Sequence, residues 1–172
     1  MLAPGIPKPG GMWADLGAGT GAFTLALAEI IGASGRIFAV DQDGRSLHHL
    51  AAAFRPRYPA KTLDTIVADF TRPLALPPLD GIVMANSLHF VRDKEDVLAL
   101  VRGYLQPDGR LLIVEYNTDR GNRWVPHPFS YTTWTRLARQ AGFAHTAKLH
   151  ARPSRFLGEI YSAASWGAAD PS

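Results

Sequence analysis

The sequence predicts an α/β fold, three layers in which a mostly parallel sheet is covered by helices on both faces. Three observations predict it. Short, near-continuous apolar runs alternate with amphipathic stretches along the chain. A glycine-rich turn, Gly17-Ala18-Gly19-Thr20-Gly21, separates the first run from the first amphipathic stretch. The last two strand candidates are joined only by Pro153–Gly158, too short for a parallel crossover, so they form an antiparallel hairpin.

The elements follow in order. Met12–Ala18 is a strand that runs into the glycines, and Thr20–Ile31 is a helix stopped by Gly32. Arg36–Asp41 is a second strand, and Asp43–Phe54 a helix ended by Pro56. Leu63–Phe70 and Asp80–Ala85 are the third and fourth strands. Between them Thr71–Leu79 holds Pro73, Pro77 and Pro78, so no helix fits. Nine residues still reach about 30 Å extended, enough to cross roughly 14 Å of sheet and return. Asp93–Leu105 is a helix closed by the turn Gln106-Pro107-Asp108-Gly109, and Arg110–Tyr116 is the fifth strand. Tyr131–Ala141 is a helix ending at Gly142, and His145–Arg152 and Glu159–Ser165 are the final strands.

At 172 residues the chain reads as a single domain, residues 1–172, with 1–11 as a short leading segment. A hydrophobic fraction of 47% and a charged fraction of 19% exclude a disordered chain. The count of zero cysteines excludes a disulfide scaffold, a thiolate metal site and a cysteine nucleophile. No window approaches the roughly 18 apolar residues of a membrane span. Met1–Gly11 lacks an apolar stretch typical of a signal peptide, so the expected location is cytoplasmic, without membrane contact.

Charge is unevenly placed. Residues 1–86 hold seven basic and seven acidic side chains, and residues 87–172 hold eleven against eight. From Arg120 to Gly158 there is no acid, but there are seven bases: Arg120, Arg123, Arg136, Arg139, Lys148, Arg152 and Arg155. The plain reading is a solvated basic face; the sharper one is a rim for an anion.

The glycine turn permits close approach of a ligand to backbone N–H groups at a helix N-terminus, where an anion is favoured. Asp41 ends the second strand, where a carboxylate accepts from both ribose hydroxyls. Together they imply an adenosine-type ligand. The turn also matches a dinucleotide fingerprint, so the loop alone leaves a nicotinamide cofactor open. Asp15 ahead of the glycines favours a ligand with an ammonium group, since a carboxylate there repels a pyrophosphate.

With these residues in order, the chain resembles the class I S-adenosylmethionine-dependent methyltransferases from about Trp13 to Ser165. Asp15-Leu16-Gly17-Ala18-Gly19-Thr20-Gly21 is similar to the family's first motif, D/E-x-G-x-G-x-G. The resemblance implies a Rossmann-like sheet of seven strands in the order 3-2-1-4-5-7-6, with strand 7 antiparallel. It implies that S-adenosylmethionine is the cofactor and S-adenosylhomocysteine the product. Asp15, Gly17, Ala18, Gly19 and Gly21 fall in its first motif, and Asp41 with Gln42 at the ribose. Asp69 and Phe70 fall at the adenine, and Asn86 and Ser87 beside the methyl donor.

The sulfonium activates the methyl group without acid help, so alignment and exclusion of water are the main requirements. His89 is the candidate base, because imidazole titrates near neutrality and the residue follows the fourth strand. Tyr116 and Asn117, ending the fifth strand, are candidates to orient the substrate. The loop Thr118–Ser130 holds Arg120, Arg123, Trp124, His127 and Phe129, and is the expected substrate wall; packing is the alternative for Tyr116, Trp124 and Phe129. His48-His49 reads as a surface feature, and His127, His145 and His150 lack metal-ligand spacing, so no metal is expected.

A small-molecule substrate, with an anionic group under the sharper reading of the arginines, is the expectation. Nucleic acid is less favoured, since Asn86-Ser87-Leu88-His89 stands where the family's amino-base methylases carry Pro-Pro-aromatic. Only twelve residues precede Trp13, short of the family's usual substrate-covering helices. That motivates the alternatives of a non-catalytic binding module or a partner subunit. Oligomeric state is not legible.

Overall fold

The computed structural model describes residues 1–168; the last four residues of the expected domain lie outside the described residues. Seven strands form one sheet: β1 (Gly11–Leu16), β2 (Gly35–Asp41), β3 (Thr62–Val67), β4 (Leu79–Ala85), β5 (Leu105–Tyr116), β6 (Phe143–Ser154) and β7 (Gly158–Ala168). Their order is β3-β2-β1-β4-β5-β7-β6. Pairing is parallel from β3 to β5, and β7 runs antiparallel to both β5 and β6. Order and direction match the expectation.

Four helices cover the sheet: α1 (Ala22–Ile31), α2 (Gly44–Arg57), α3 (Glu95–Tyr104) and α4 (Tyr131–Gln140). Leu27, Ile31, Leu47, Leu50 and Phe54 of α1 and α2 pack with Trp13, Ile37 and Val83 on one face. Leu98 and Val101 of α3 and Trp134 of α4 pack with Leu16, Ile82, Met84 and Ile113 on the other. Each central strand therefore buries both faces, which is why its sequence reads as an unbroken apolar run. The leading residues fold back onto this core: Leu2 is buried, and Ser162 Oγ donates to the Met1 carbonyl at 2.8 Å.

The boundaries depart from expectation in three instructive places. The α2 helix passes Pro56 and ends at Arg57, because Tyr58 N–H still reaches the Phe54 carbonyl at 2.9 Å and Pro removes only its own donor. Residues 106–109, expected as a turn before the fifth strand, are an irregularity within β5. Leu105 pairs with Leu79 and Arg110 with Gly81, so the extra residues are extruded while pairing resumes. The third strand stops at Val67, where Ala68 N–H turns to the Asp41 carbonyl at 3.0 Å and leaves Asp69 and Phe70 in the following loop.

Candidate active site

The carboxyl ends of β1, β2 and β4 open on a cavity of about 490 Å³. Gly17 and Gly19 of the turn, Asp41, Gln42, Asp69, Phe70, Asn86 and Ser87 line it, as expected for a cofactor, and Thr71, Phe90 and Val91 complete it. Another cavity, about 450 Å³, lies between the amino-terminal ends of the parallel strands and contains Trp13, Asp80, Arg110 and Trp166. In open α/β sheets ligands bind beyond the carboxyl ends, so the first is the candidate site.

Three expected cofactor residues, Asp15, Ala18 and Gly21, do not line the cavity. Gly21 adopts φ 91°, and a Cβ there would land on the Leu50 side chain, so this glycine serves the packing of α1 on α2. Asp15 is 1% exposed and accepts from Thr24 Oγ1 at 2.6 Å. Burial, opposed by the Thr24 hydrogen bond and reinforced by the charge of Asp41, pushes its carboxyl from 3.8 up to about 6. It braces the turn from beneath.

The N–H groups of the turn correct another expectation. Gly17 and Ala18 donate to the Val40 carbonyl at 2.8 and 3.0 Å, Gly19 to Asp41 Oδ2 at 2.8 Å, and Gly21 to the Ala18 carbonyl at 2.9 Å. These four groups are already engaged within the protein and are not free to bind a pyrophosphate. A dinucleotide site uses such donors for its phosphates, so this turn fits a phosphate-free ligand. Gly17 has its own constraint: φ is 81°, and a Cβ would strike Ser87, whose Oγ donates to the Leu16 carbonyl at 2.7 Å.

The remaining groups fit S-adenosylmethionine. Asp41 accepts from Gly19 N–H and, through Oδ1, from Asp43 N–H at 2.9 Å, which orients it and leaves lone pairs for ribose hydroxyls. Asp69 is held below the usual carboxylate range, chiefly by the Thr71 hydroxyl and then by its N–H, both on Oδ1 at 2.7 and 2.9 Å. Asn86 takes a left-handed φ of 53°, and its buried Oδ1 has no hydrogen-bond partner among the described residues. An orphaned acceptor in the cavity wall suits a ligand that brings a donor.

Next to this wall His89 is buried, and its Nδ1 lies 2.7 Å from Oε2 of Glu115, which is 0% exposed. Glu115 Oε1 also accepts from His89 N–H at 3.3 Å. A carboxylate at Nδ1 favours the tautomer with its proton there, in which Nε2 is the acceptor. The sequence reading missed Glu115. Its signal was there: one acid inside Arg110-Leu-Leu-Ile-Val-Glu-Tyr116, a buried run in which a charge needs a partner.

A buried lysine braces the same segment. Lys94 Nζ donates to the carbonyls of Val91 at 2.7 Å and His127 at 3.0 Å, and His127 N–H returns to the His89 carbonyl at 3.0 Å. Burial lowers the Lys94 ammonium below the usual lysine range, against the opposing charges of Glu115 and Asp93.

Of the expected substrate residues, Tyr116 is half-buried with its ring 6.3 Å from that of His89. Both ends of the Asn117 amide are engaged: Nδ2 donates to Glu159 at 2.6 Å and Oδ1 accepts from Tyr131 N–H at 2.8 Å. Asn117 thus closes the base of the loop. Arg120, Arg123 and Trp124 are exposed, with Arg123 5.9 Å from the Trp124 ring, whereas Phe129 is buried against Trp134. The pairing of Tyr116 with Ile160 brings the β6–β7 turn, with exposed Arg155, to the same edge. His48 and His49 are exposed on α2. Among the described residues no cluster of three or more His, Asp or Glu side chains could hold a metal ion.

The reversed β7 in this sheet order, the glycine turn and the carboxylate tipping β2 define a class I S-adenosylmethionine-dependent methyltransferase. Residues 14–111 match the family model described as a methyltransferase domain, and the chain belongs to that family. It is similar to the ubiquinone/menaquinone biosynthesis C-methyltransferase of Ectopseudomonas mendocina, 29% identical over 111 residues, covering 64% of this chain and 43% of that protein. The protein of the same name from Azotobacter vinelandii is 31% identical over 104 residues, covering 60% and 41%. The chain thus matches about two-fifths of the length of these relatives. Among solved structures, a putative O-methyltransferase from Nostoc punctiforme superimposes with a TM-score of 0.77 at 18% identity, covering 96% of this chain and 54% of that one.

Proposed function

We propose that residues 1–172 act as one methyltransferase domain, transferring a methyl group to a small molecule that carries an acidic C–H or O–H. The observation that carries this reading is the buried His89–Glu115 pair, with His89 next to cavity-lining Phe90 and two residues beyond cavity-lining Ser87. When bound, S-adenosylmethionine supplies a methyl group activated by its sulfonium. Asp41 would hold the ribose hydroxyls, Asp69 and Phe70 the adenine, and Asn86 Oδ1 a donor of the amino-acid end. His89 Nε2 would take the acceptor's proton, and Glu115 would hold the imidazole in the required tautomer and balance the charge it gains. The relatives are named as C-methyltransferases, which supports carbon as the accepting atom.

The exposed arginines of the loop and of the β6–β7 turn support a substrate with an anionic group. No helix among the described residues is long and apolar enough to cross a membrane; a cytoplasmic setting is part of the reading. The test is a thermal shift with S-adenosylhomocysteine, then transfer of labelled methyl into a cell extract separated into metabolite, protein and RNA. Label in the metabolite fraction is the expected result. Cofactor binding with no transfer to any fraction would leave a non-catalytic binding module instead.

A further inference from the structure

The wall of the cofactor cavity carries charge of one sign. Two carboxylates, Asp41 and Asp69, stand among the described residues that line it, and no Lys, Arg or His does. A third carboxylate, Asp15, lies buried beneath the glycine turn, within reach of the charge on Asp41. Its carboxyl titrates at about 6, so above neutral pH it is ionised and adds to the same field. Against the three stand exposed Arg72, whose charge acts on Asp69, and the N-terminus of α1, worth roughly half a charge. The turn N–H groups, which could have brought further positive ends to the cavity, are engaged by Val40, Asp41 and Ala18.

The two forms of the cofactor differ in the property that such a wall reads. Adenine, ribose and the amino-acid end are common to both, so contacts to these parts do not separate them. S-adenosylmethionine carries a sulfonium and one net positive charge at neutral pH. S-adenosylhomocysteine carries a neutral thioether and no net charge. A charge pair several ångströms apart at a partly open site changes an equilibrium constant by about tenfold.

We propose that Asp41, Asp69 and buried Asp15 make this site select S-adenosylmethionine over S-adenosylhomocysteine by charge, so that loss of the sulfonium on methyl transfer loosens the product. The proposal rests on this cavity being the cofactor's. It is tested by calorimetric titration with both forms and with sinefungin, which has a carbon bearing a protonated amine in place of the methylated sulfur. Sinefungin shares the charge of S-adenosylmethionine but not its S-methyl group, and so separates charge from methyl fit. Both cations should bind about tenfold tighter than S-adenosylhomocysteine in about 0.02 M salt, and the gap should narrow severalfold in about 0.5 M salt. Asp69→Asn and Asp15→Asn should each cut the gap about threefold. Contacts common to the three ligands cancel in the ratio, and Asp15 does not line the cavity, so its substitution removes charge without removing a contact. Equal affinities, tighter binding of S-adenosylhomocysteine, or a preference that leaves out sinefungin overturns the proposal. So does a preference that neither salt nor the substitutions alter; in all these cases the cofactor site still stands. Binding of none of the three overturns the cofactor reading of the cavity as well.

Discussion

The half of the sheet from β1 to β4 and the half from β5 to β7 are built on different rules. In the first, the cavity-lining groups sit at a strand end or within a few residues of one: Gly17 after β1, Asp41 on β2, Asn86 after β4. Toward the second, the groups around His89 come from the turn at residues 88–90, a strand end, a loop and a hairpin, which converge only through tertiary contact. The family model covers residues 14–111, which takes in His89 and Phe90 but stops within β5, before Glu115, Tyr116 and the hairpin. A common ligand is read by backbone turns and a few carboxylates; an individual substrate is read by side chains that each family member can replace.

Removing the proposed base, His89, should have the largest effect. His89→Ala is expected to lower methyl transfer about 10²–10⁴-fold and leave S-adenosylhomocysteine affinity unchanged by calorimetry. Glu115→Gln, which keeps the shape but loses the charge, should give an intermediate loss with an altered pH–rate profile. Full activity in both variants would move catalysis out of the second half altogether.

Asp41→Ala attacks the first half. Each charge-assisted hydrogen bond lost should weaken cofactor binding by about 1.5–3 kcal/mol, or roughly ten- to a hundredfold. Calorimetry on the folded variant reads it, and an undiminished affinity would mean that the ribose is held elsewhere.

Asp15 sharpens the comparison, since it serves the first half without touching its cavity. Its native carboxyl holds its proton up to about pH 6, whereas the unfolded one releases it near 3.8. Between those values the unfolded state binds fewer protons, so stability falls as pH rises from about 4 to 6 and is level above. The gap corresponds to about 3 kcal/mol. Asp15→Asn should be more stable than the wild type near pH 7 by up to that amount, and the difference should vanish toward pH 4. Denaturant midpoints of the two proteins across that range decide it; a constant difference would refute the account.

The smallest effect belongs to the rim. Replacing Arg123 and Arg155 with Gln should weaken substrate capture severalfold at low salt and flatten its dependence on ionic strength. Identical salt dependence with and without the two arginines would make the rim a solvated surface.

Legibility in the sequence follows the same division. The reversed last strand was readable from the short Pro153–Gly158 link and the position of Asp41 from the end of its strand, whereas the sheet order and the positions of Asp69 and Asn86 came through the family resemblance. The engagement of the turn N–H groups was not, since their acceptor is the carbonyl of Val40 on another strand. Nor was the role of Asn117: nothing near it in sequence reveals Glu159 and Tyr131 as its partners. Glu115 was visible as an oddity within an apolar run, but its partner lies 26 residues away. Residues 106–109 have a turn composition that the pairing of β4 and β5 absorbs.

The position of β7 has a consequence for how the chain assembles. Ribosomal synthesis delivers β5 before β7, and until β7 arrives β5 is a long apolar edge open to any other strand. The β6–β7 hairpin can form quickly on its own, joined by three residues, but its docking on β5 must wait for residues 158–168. Met1 waits as long, because Ser162 of β7, 161 positions away, supplies the hydroxyl that donates to its carbonyl. The first four strands can therefore gather while synthesis continues, whereas the mouth around His89 exists only once the last strand has slotted between its neighbours. A chain stalled before β7 would carry the hazard of a bare strand edge.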